Sequence, residues 1–148
     1  MKTKGLVLVF LLILVGCAPS PRLNVFWQVS KEVSLKADPA LKKALRLYWE
    51  ARAQRDFKAA FALEAPFFQE TVLFSKYQSI LINLEKRPLE RLEVRRLECT
   101  CPFFCRLVLF HKRGSRGIFL NDYWVRVEGR WYHVFRSPFF FPQFSFRR

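Results

Sequence analysis

The sequence predicts an α+β domain with its helices first and an antiparallel sheet behind them, and three observations predict it. Apolar residues between Asp38 and Leu84 recur at three- and four-residue steps, the spacing of a helix stripe. After Pro88 the recurrence drops to two, the spacing of half-buried strands. Short glycine-bearing turns separate the late apolar runs, and Glu128-Gly129 suits a two-residue hairpin connection, which only antiparallel neighbours can share. The expectation is three N-terminal helices packed on a curved four-stranded antiparallel sheet, preceded by a leader of different character.

The leader comes first. Lys2 and Lys4 make a basic start, Leu6 to Val15 is an almost unbroken apolar run, and Gly16 precedes Cys17. Crossing a bilayer as a helix takes about 20 apolar residues, and this run has about half of that before Pro19 and Pro21, so it reads as an export signal over 1–16. Residues 17–37 read as a tether, with Pro19, Ser20 and Pro21 leading away from the membrane. Within it Leu23, Val25, Trp27 and Val29 alternate with Asn24, Phe26, Gln28 and Ser30. That alternation suits a short strand packed on the domain or lying at the interface.

The folded domain is expected over 38–148. Asp38-Pro39 starts a helix, the aspartate capping free amides and the proline standing where no amide hydrogen is missed. Leu41, Ala44, Leu45, Tyr48 and Trp49 form its stripe. Asp56 caps a second, short helix carrying Phe57, Ala60, Phe61 and Glu64, which ends at Ala65-Pro66. Pro66 begins a third, with Leu73, Tyr77, Ile80, Leu81 and Leu84 buried, closed by Lys86, Arg87 and Pro88. In the first strand Leu92 and Val94 share one parity while Leu97, Cys99 and Cys101 share the other, so a bulge near Arg95-Arg96 is required to keep both sets inside. Phe103 to His111, Ile118 to Val127 and Arg130 to Arg136 supply the remaining strands. The closing Ser137-Pro138-Phe139-Phe140-Phe141-Pro142 cannot extend a central strand and is expected to lay aromatic rings over an opening, ahead of a basic end at Arg147-Arg148.

Leu14-Val15-Gly16-Cys17 resembles the lipobox of bacterial lipoproteins. The resemblance implies a diacylglyceryl thioether on Cys17, cleavage before it and acylation of the new amino terminus. The protein would then stand on the periplasmic face of a bacterial envelope membrane. Ala18, where inner-membrane retention would favour aspartate, leans towards the outer one. The formal charge is +14, and loss of Lys2 and Lys4 with the leader lowers it by only two. Such a field favours anions. Export removes nucleic acid from the candidates and leaves anionic lipid or other envelope phosphates as partners, beside the bilayer itself.

Helix, short helix, helix and then four antiparallel strands is similar to the cone-shaped fold of the nuclear transport factor two-like superfamily. Tyr48-Trp49-Glu50-Ala51-Arg52 followed by Asp56-Phe57-Lys58-Ala59-Ala60-Phe61 resembles its first helix pair, and Trp124 to His133 resembles its closing hairpin. The resemblance covers about Asp38 to Pro142 and implies a cone interior, with association of two copies through the sheet. It implies no single activity, because isomerases, dehydratases, cyclases and protein-binding adaptors share the fold.

Two groups of residues are candidates for chemistry. Cys99, Cys101 and Cys105 form a C-x-C-x3-C cluster, and export to an oxidising compartment favours a disulfide among them. Cys101 with Cys105 and Cys99 with Cys105 are both open as pairs. Free buried thiols or a soft-metal site, with His111 as a fourth ligand, are the alternatives. For acid/base work inside the cone the candidates are Asp122 and His133, followed by Glu98, His111 and Tyr123, and the plainer reading puts Asp122 in a surface pair with an arginine and makes His133 a satisfied sheet residue. No glycine-rich phosphate loop, H-E-x-x-H or G-x-S-x-G occurs. No cofactor is expected. The reading is a membrane-anchored lipoprotein with a non-catalytic binding or assembly domain. The alternatives are an isomerase- or cyclase-type enzyme and a thiol metal-binding or redox lipoprotein.

Overall fold

The helices and strands lie in the predicted order in a computed structural model, which describes residues 26–30 and 37–136. The elements are β1 (Phe26–Val29), α1 (Pro39–Ala53), α2 (Phe57–Phe61), α3 (Pro66–Thr71), α4 (Phe74–Leu84), β2 (Arg91–Cys101), β3 (Phe104–Arg113), β4 (Arg116–Val127) and β5 (Arg130–His133). One sheet runs in the order β1-β2-β3-β4-β5. The four long-predicted strands are antiparallel, and a fifth is added at the edge, because Phe26–Val29 pairs parallel with Arg91–Val94. The stretch expected to be tether up to residue 37 therefore begins to belong to the sheet at Phe26. Its alternation of side chains was the visible sign of that pairing.

The third expected helix is two. Val72 and Leu73 are extended, with φ −120° and ψ 123° at Val72, and they break the helix between Thr71 and Phe74. A β-branched valine tolerates that conformation well. The break lets Phe68, Val72, Tyr77 and Leu81 all turn into one cluster, while Leu73, expected to be buried, is left 77% exposed. Thr71 Oγ1 donates back to the Phe67 carbonyl at 2.8 Å, which satisfies an oxygen freed by the break.

In β2 the register shifts between Val94 and Arg96, so Leu92 and Val94 are buried and Leu97 still packs against the same core. A second shift between Cys99 and Cys101 bends the strand again before the hairpin. The two-residue turn at Glu128-Gly129 has φ of 48° and 81°, the paired positive values that match the twist of a hairpin. At the other end of β4 the turn Gly114-Ser115 is pinned to the segment before β2, through Arg113 Nη1 to the Arg87 carbonyl (2.6 Å) and the Gly114 amide to Glu90 (3.0 Å).

The core forms two clusters. In the larger one, Leu41, Leu45, Tyr48 and Trp49 of α1 meet Leu92, Leu107, Leu109 and Trp124 of the inner sheet face. In the smaller one, Phe57, Phe68, Val72, Tyr77 and Leu81 surround Phe135 beyond β5. The outer sheet face is charged, with Glu93 buried between Arg91 and Arg95.

Asp38 joins helix to sheet. Its Oδ1 accepts from the Ala40 amide at 2.8 Å as the cap of α1, and its Oδ2 accepts from Trp131 Nε1 of β5 at 2.9 Å. Asp38→Ala is expected to cost about 1–2 kcal/mol in urea unfolding, whereas Asp38→Asn recovers part of it through the cap.

Candidate functional site

Asp122 and His133 both face inward, and the structure joins them. Trp124 pairs with His133 across β4 and β5, and Asp122 lies two residues back on the same face of β4. His133 Nε2 stands 2.9 Å from Asp122 Oδ1, and its Nδ1 stands 2.8 Å from Glu64 Oε2. Glu64 comes from the loop between α2 and α3. That loop is held against β5 by the His133 amide on the Leu63 carbonyl and the Ala65 amide on the His133 carbonyl, each at 2.8 Å.

The remaining carboxylate oxygens are also taken. Tyr48 and Tyr77 hydroxyls donate to Glu64 Oε1 at 2.7 and 2.9 Å. Trp124 and Trp49 indoles donate to Asp122 Oδ2 at 2.8 and 3.2 Å. Sequence reasoning placed Glu64 only as the end of a helix stripe. An acid on the apolar side of that stripe was the available signal, but nothing local says that it meets a histidine 69 residues away.

Burial alone would push the His133 imidazolium to lose its proton, but the flanking Glu64 and Asp122 carboxylates outweigh it and hold the pKa at about 9. Burial likewise works to raise Asp122, and His133 with the two indoles brings it below the usual carboxylate range. Burial pushes the Tyr48 hydroxyl well up, which keeps it a neutral donor. All three charged residues are at most 5% exposed. Both ring nitrogens and all four oxygens have partners within the protein, so the arrangement ties the α2–α3 loop, β4 and β5 to α1 and α4.

The polar chain continues outward. Arg52 Nη1 donates to the Tyr48 hydroxyl at 3.2 Å, and Arg52 also pairs with the buried Glu85. Arg113 Nη2 stands 3.2 Å from Glu85 Oε1, near enough for an ion pair but not aligned as a hydrogen bond. Arg52, Glu85, Arg113 and His111 form the floor of a cleft of about 520 Å³ between the end of α4 and the β3–β4 turn. Lys86, Arg87 and Arg116 stand around it, with Leu84 and Ile118 at the rim. Burial first, then Arg113 and Arg52, push His111 down to about 4, so it is neutral at pH 7.

The other candidates fall elsewhere. Glu98 is on the outer face, paired with Arg106 and Arg96, and Arg106 beside it lowers its pKa. Tyr123 is on that face too, with the Arg136 guanidinium 4.0 Å from its ring. Cys99 and Cys105, opposite each other across β2 and β3, are joined in a disulfide, and Cys101 is a free thiol. Among the described residues no group of three or more His, Cys, Asp or Glu is arranged to hold a metal ion. Cys17, the whole leader over 1–16, most of the tether, the Phe139 to Phe141 segment and Arg147-Arg148 lie outside the described residues.

Two solved structures share this arrangement of helices on a bent sheet. A candidate NTF2-like (nuclear transport factor two-like) transpeptidase from Campylobacter jejuni aligns over 64% of this chain and 98% of its own, at 6% identity and a TM-score of 0.52. The fold is NTF2-like. A SEC-C motif containing protein from Psychrobacter arcticus aligns over 72% of this chain and 66% of its own, at 9% identity and a TM-score of 0.52. No protein-family model matches the sequence, nor does any curated protein. Identities this low speak for the NTF2-like fold alone.

Two predictions test the polar centre, and one tests the cysteines. The folded pKa of His133 lies above its ordinary 6.5, so its contribution to stability is complete below about pH 6.5 and is lost as pH rises through about 9. Unfolding midpoints are expected to fall across that window, and the His133 ring resonances to titrate at its upper end. Glu64→Gln, which leaves the imidazolium with one charged partner, is expected to cost about 3 kcal/mol. Alkylation of the oxidised protein is expected to mark Cys101 and spare Cys99 and Cys105, and Cys105→Ser to lower stability by about 2 kcal/mol, the scale for closing so short a loop.

Proposed function

We propose that this chain is a lipid-anchored bacterial envelope protein whose NTF2-like domain is a non-catalytic binding module, held on the periplasmic face through acylated Cys17. The single observation that carries the non-catalytic half is the saturation of the inner polar centre. A general acid or base must be able to reach its substrate, and Glu64, Asp122 and His133 spend every polar atom on one another and on Tyr48, Tyr77, Trp49 and Trp124.

Support for the anchor comes from the leader: a basic start, an apolar run too short to span a bilayer, and a small residue before Cys17. One acyl chain gives marginal membrane binding, whereas the three implied by the lipobox resemblance hold a protein firmly. The strongly positive chain adds attraction to anionic head groups. An outer-membrane address follows from Ala18 by the same resemblance.

Mass spectrometry of the native protein extracted from membranes tests this reading. The expected product begins at Cys17 and carries diacylglyceryl and acyl groups, and Cys17→Ser leaves the leader uncleaved. A soluble native protein, or a mature product with an unmodified Cys17, overturns the anchor.

A further inference from the structure

The cleft beyond Arg52 has what the inner centre lacks, namely buried polar atoms without an aligned hydrogen bond. Glu85 Oε2, Arg113 Nη2 and His111 Nδ1 are buried and have no hydrogen-bond partner, and all three residues line the same cleft. Leaving a polar atom buried and unpaired costs about 1–3 kcal/mol, and although Arg113 Nη2 keeps its ion pair with Glu85, a ligand that supplies the missing hydrogen bonds is favoured here. Around them stand Lys86, Arg87 and Arg116, while the cleft's one acid, Glu85, already faces the guanidiniums of Arg52 and Arg113.

We propose that this cleft binds a phosphate monoester, its phosphoryl oxygens taken by Arg113, Arg87, Arg116 and His111 and a hydroxyl donated to Glu85 Oε2. The donor pattern selects the class. A ligand must accept from the guanidiniums and also donate to a carboxylate, which a simple carboxylate cannot do at pH 7. A hydrogen phosphate, or a monoester with a neighbouring hydroxyl, can. The excess of guanidinium over acid suits a dianion with three acceptor oxygens. Glu85 and the Arg87 carbonyl hold Arg113 in place before any ligand arrives, so little side-chain entropy is lost on binding. The volume of about 520 Å³ exceeds what phosphate alone fills, and exposed Leu84 and Ile118 supply apolar surface for the rest of the molecule. This inference rests on the binding-module reading above but not on the lipid anchor.

The test uses the full chain in neutral detergent, titrated calorimetrically with inorganic phosphate, glycerol 3-phosphate, hexanoyl lysophosphatidic acid, which keeps a free glycerol hydroxyl, and the diester dihexanoyl phosphatidylglycerol. Saturable one-to-one binding of the monoesters is expected, weakening with salt. Arg87→Glu and Arg116→Glu, both at exposed positions, are expected to weaken it at least about tenfold. Arg130→Glu makes the same charge change at the opposite end of β4 and is expected to leave binding within about twofold. Tighter binding of hexanoyl lysophosphatidic acid than of glycerol 3-phosphate assigns a lipid headgroup, and equal or weaker binding assigns a soluble phosphomonoester. Absence of saturable binding, a diester bound as well as the monoester, or an equal loss from Arg130→Glu overturns the proposal. Lipidation is read by mass, so that result leaves the anchor to stand or fall separately.

Discussion

His133 donates from both ring nitrogens, to Glu64 at 2.8 Å and to Asp122 at 2.9 Å, and the rest of the domain is assembled around that one charged ring. Glu64 hangs from the α2–α3 loop, Asp122 from β4 and His133 from β5, while Tyr48 and Tyr77 bring in α1 and α4. Tyr48 belongs to the larger apolar cluster and Tyr77 to the smaller, so Glu64 is the point where the two halves of the core touch through polar atoms. Without the second proton on His133, two carboxylates would sit buried with no cation between them. The clusters on both sides exclude the water that would otherwise screen the pair.

This choice has a consequence for chemistry. The interior of a cone is the natural place for a ligand, and here Trp49, Trp124, Tyr48 and the charged triad fill it. What the centre passes outward is charge. Tyr48 touches Arg52, Arg52 pairs with Glu85, and Glu85 faces Arg113, so a continuous polar path runs from the filled interior to the open cleft. Along that path three carboxylates, Glu64, Asp122 and Glu85, face three cations, His133, Arg52 and Arg113. The cations at the mouth of the cleft, Lys86, Arg87 and Arg116, stand outside this balance and are available to something else.

Periodicity made much of this architecture readable in advance. The change from a helical to a two-residue spacing at Pro88 marks the boundary between layers, and the parity conflict between Val94 and Leu97 requires the bulge that is found there. The inward parity of Asp122 and His133 was equally visible. Glu64 was not, because its role depends on a loop conformation and on a strand far away in the sequence. The break at Val72 was hidden for a related reason. Local preference allows the helix to continue, and tertiary packing of Phe68 and Tyr77 into one cluster decides otherwise. The cleft escaped sequence reasoning altogether: Arg52, Glu85 and Arg113 come from three elements, and arginines spread through a basic chain look alike until folding selects them.

The bridge between Glu64 and His133 also settles how this sheet meets its surroundings. By giving the end of β5 a main-chain partner from within the same molecule, the Leu63–Ala65 segment removes amides and carbonyls that would otherwise template a foreign strand. Growth by strand addition at that margin would first require the histidine's own loop to peel away, dragging a charge out of the interior with it. The amide and carbonyl of His133 are thereby closed to a foreign strand at that margin.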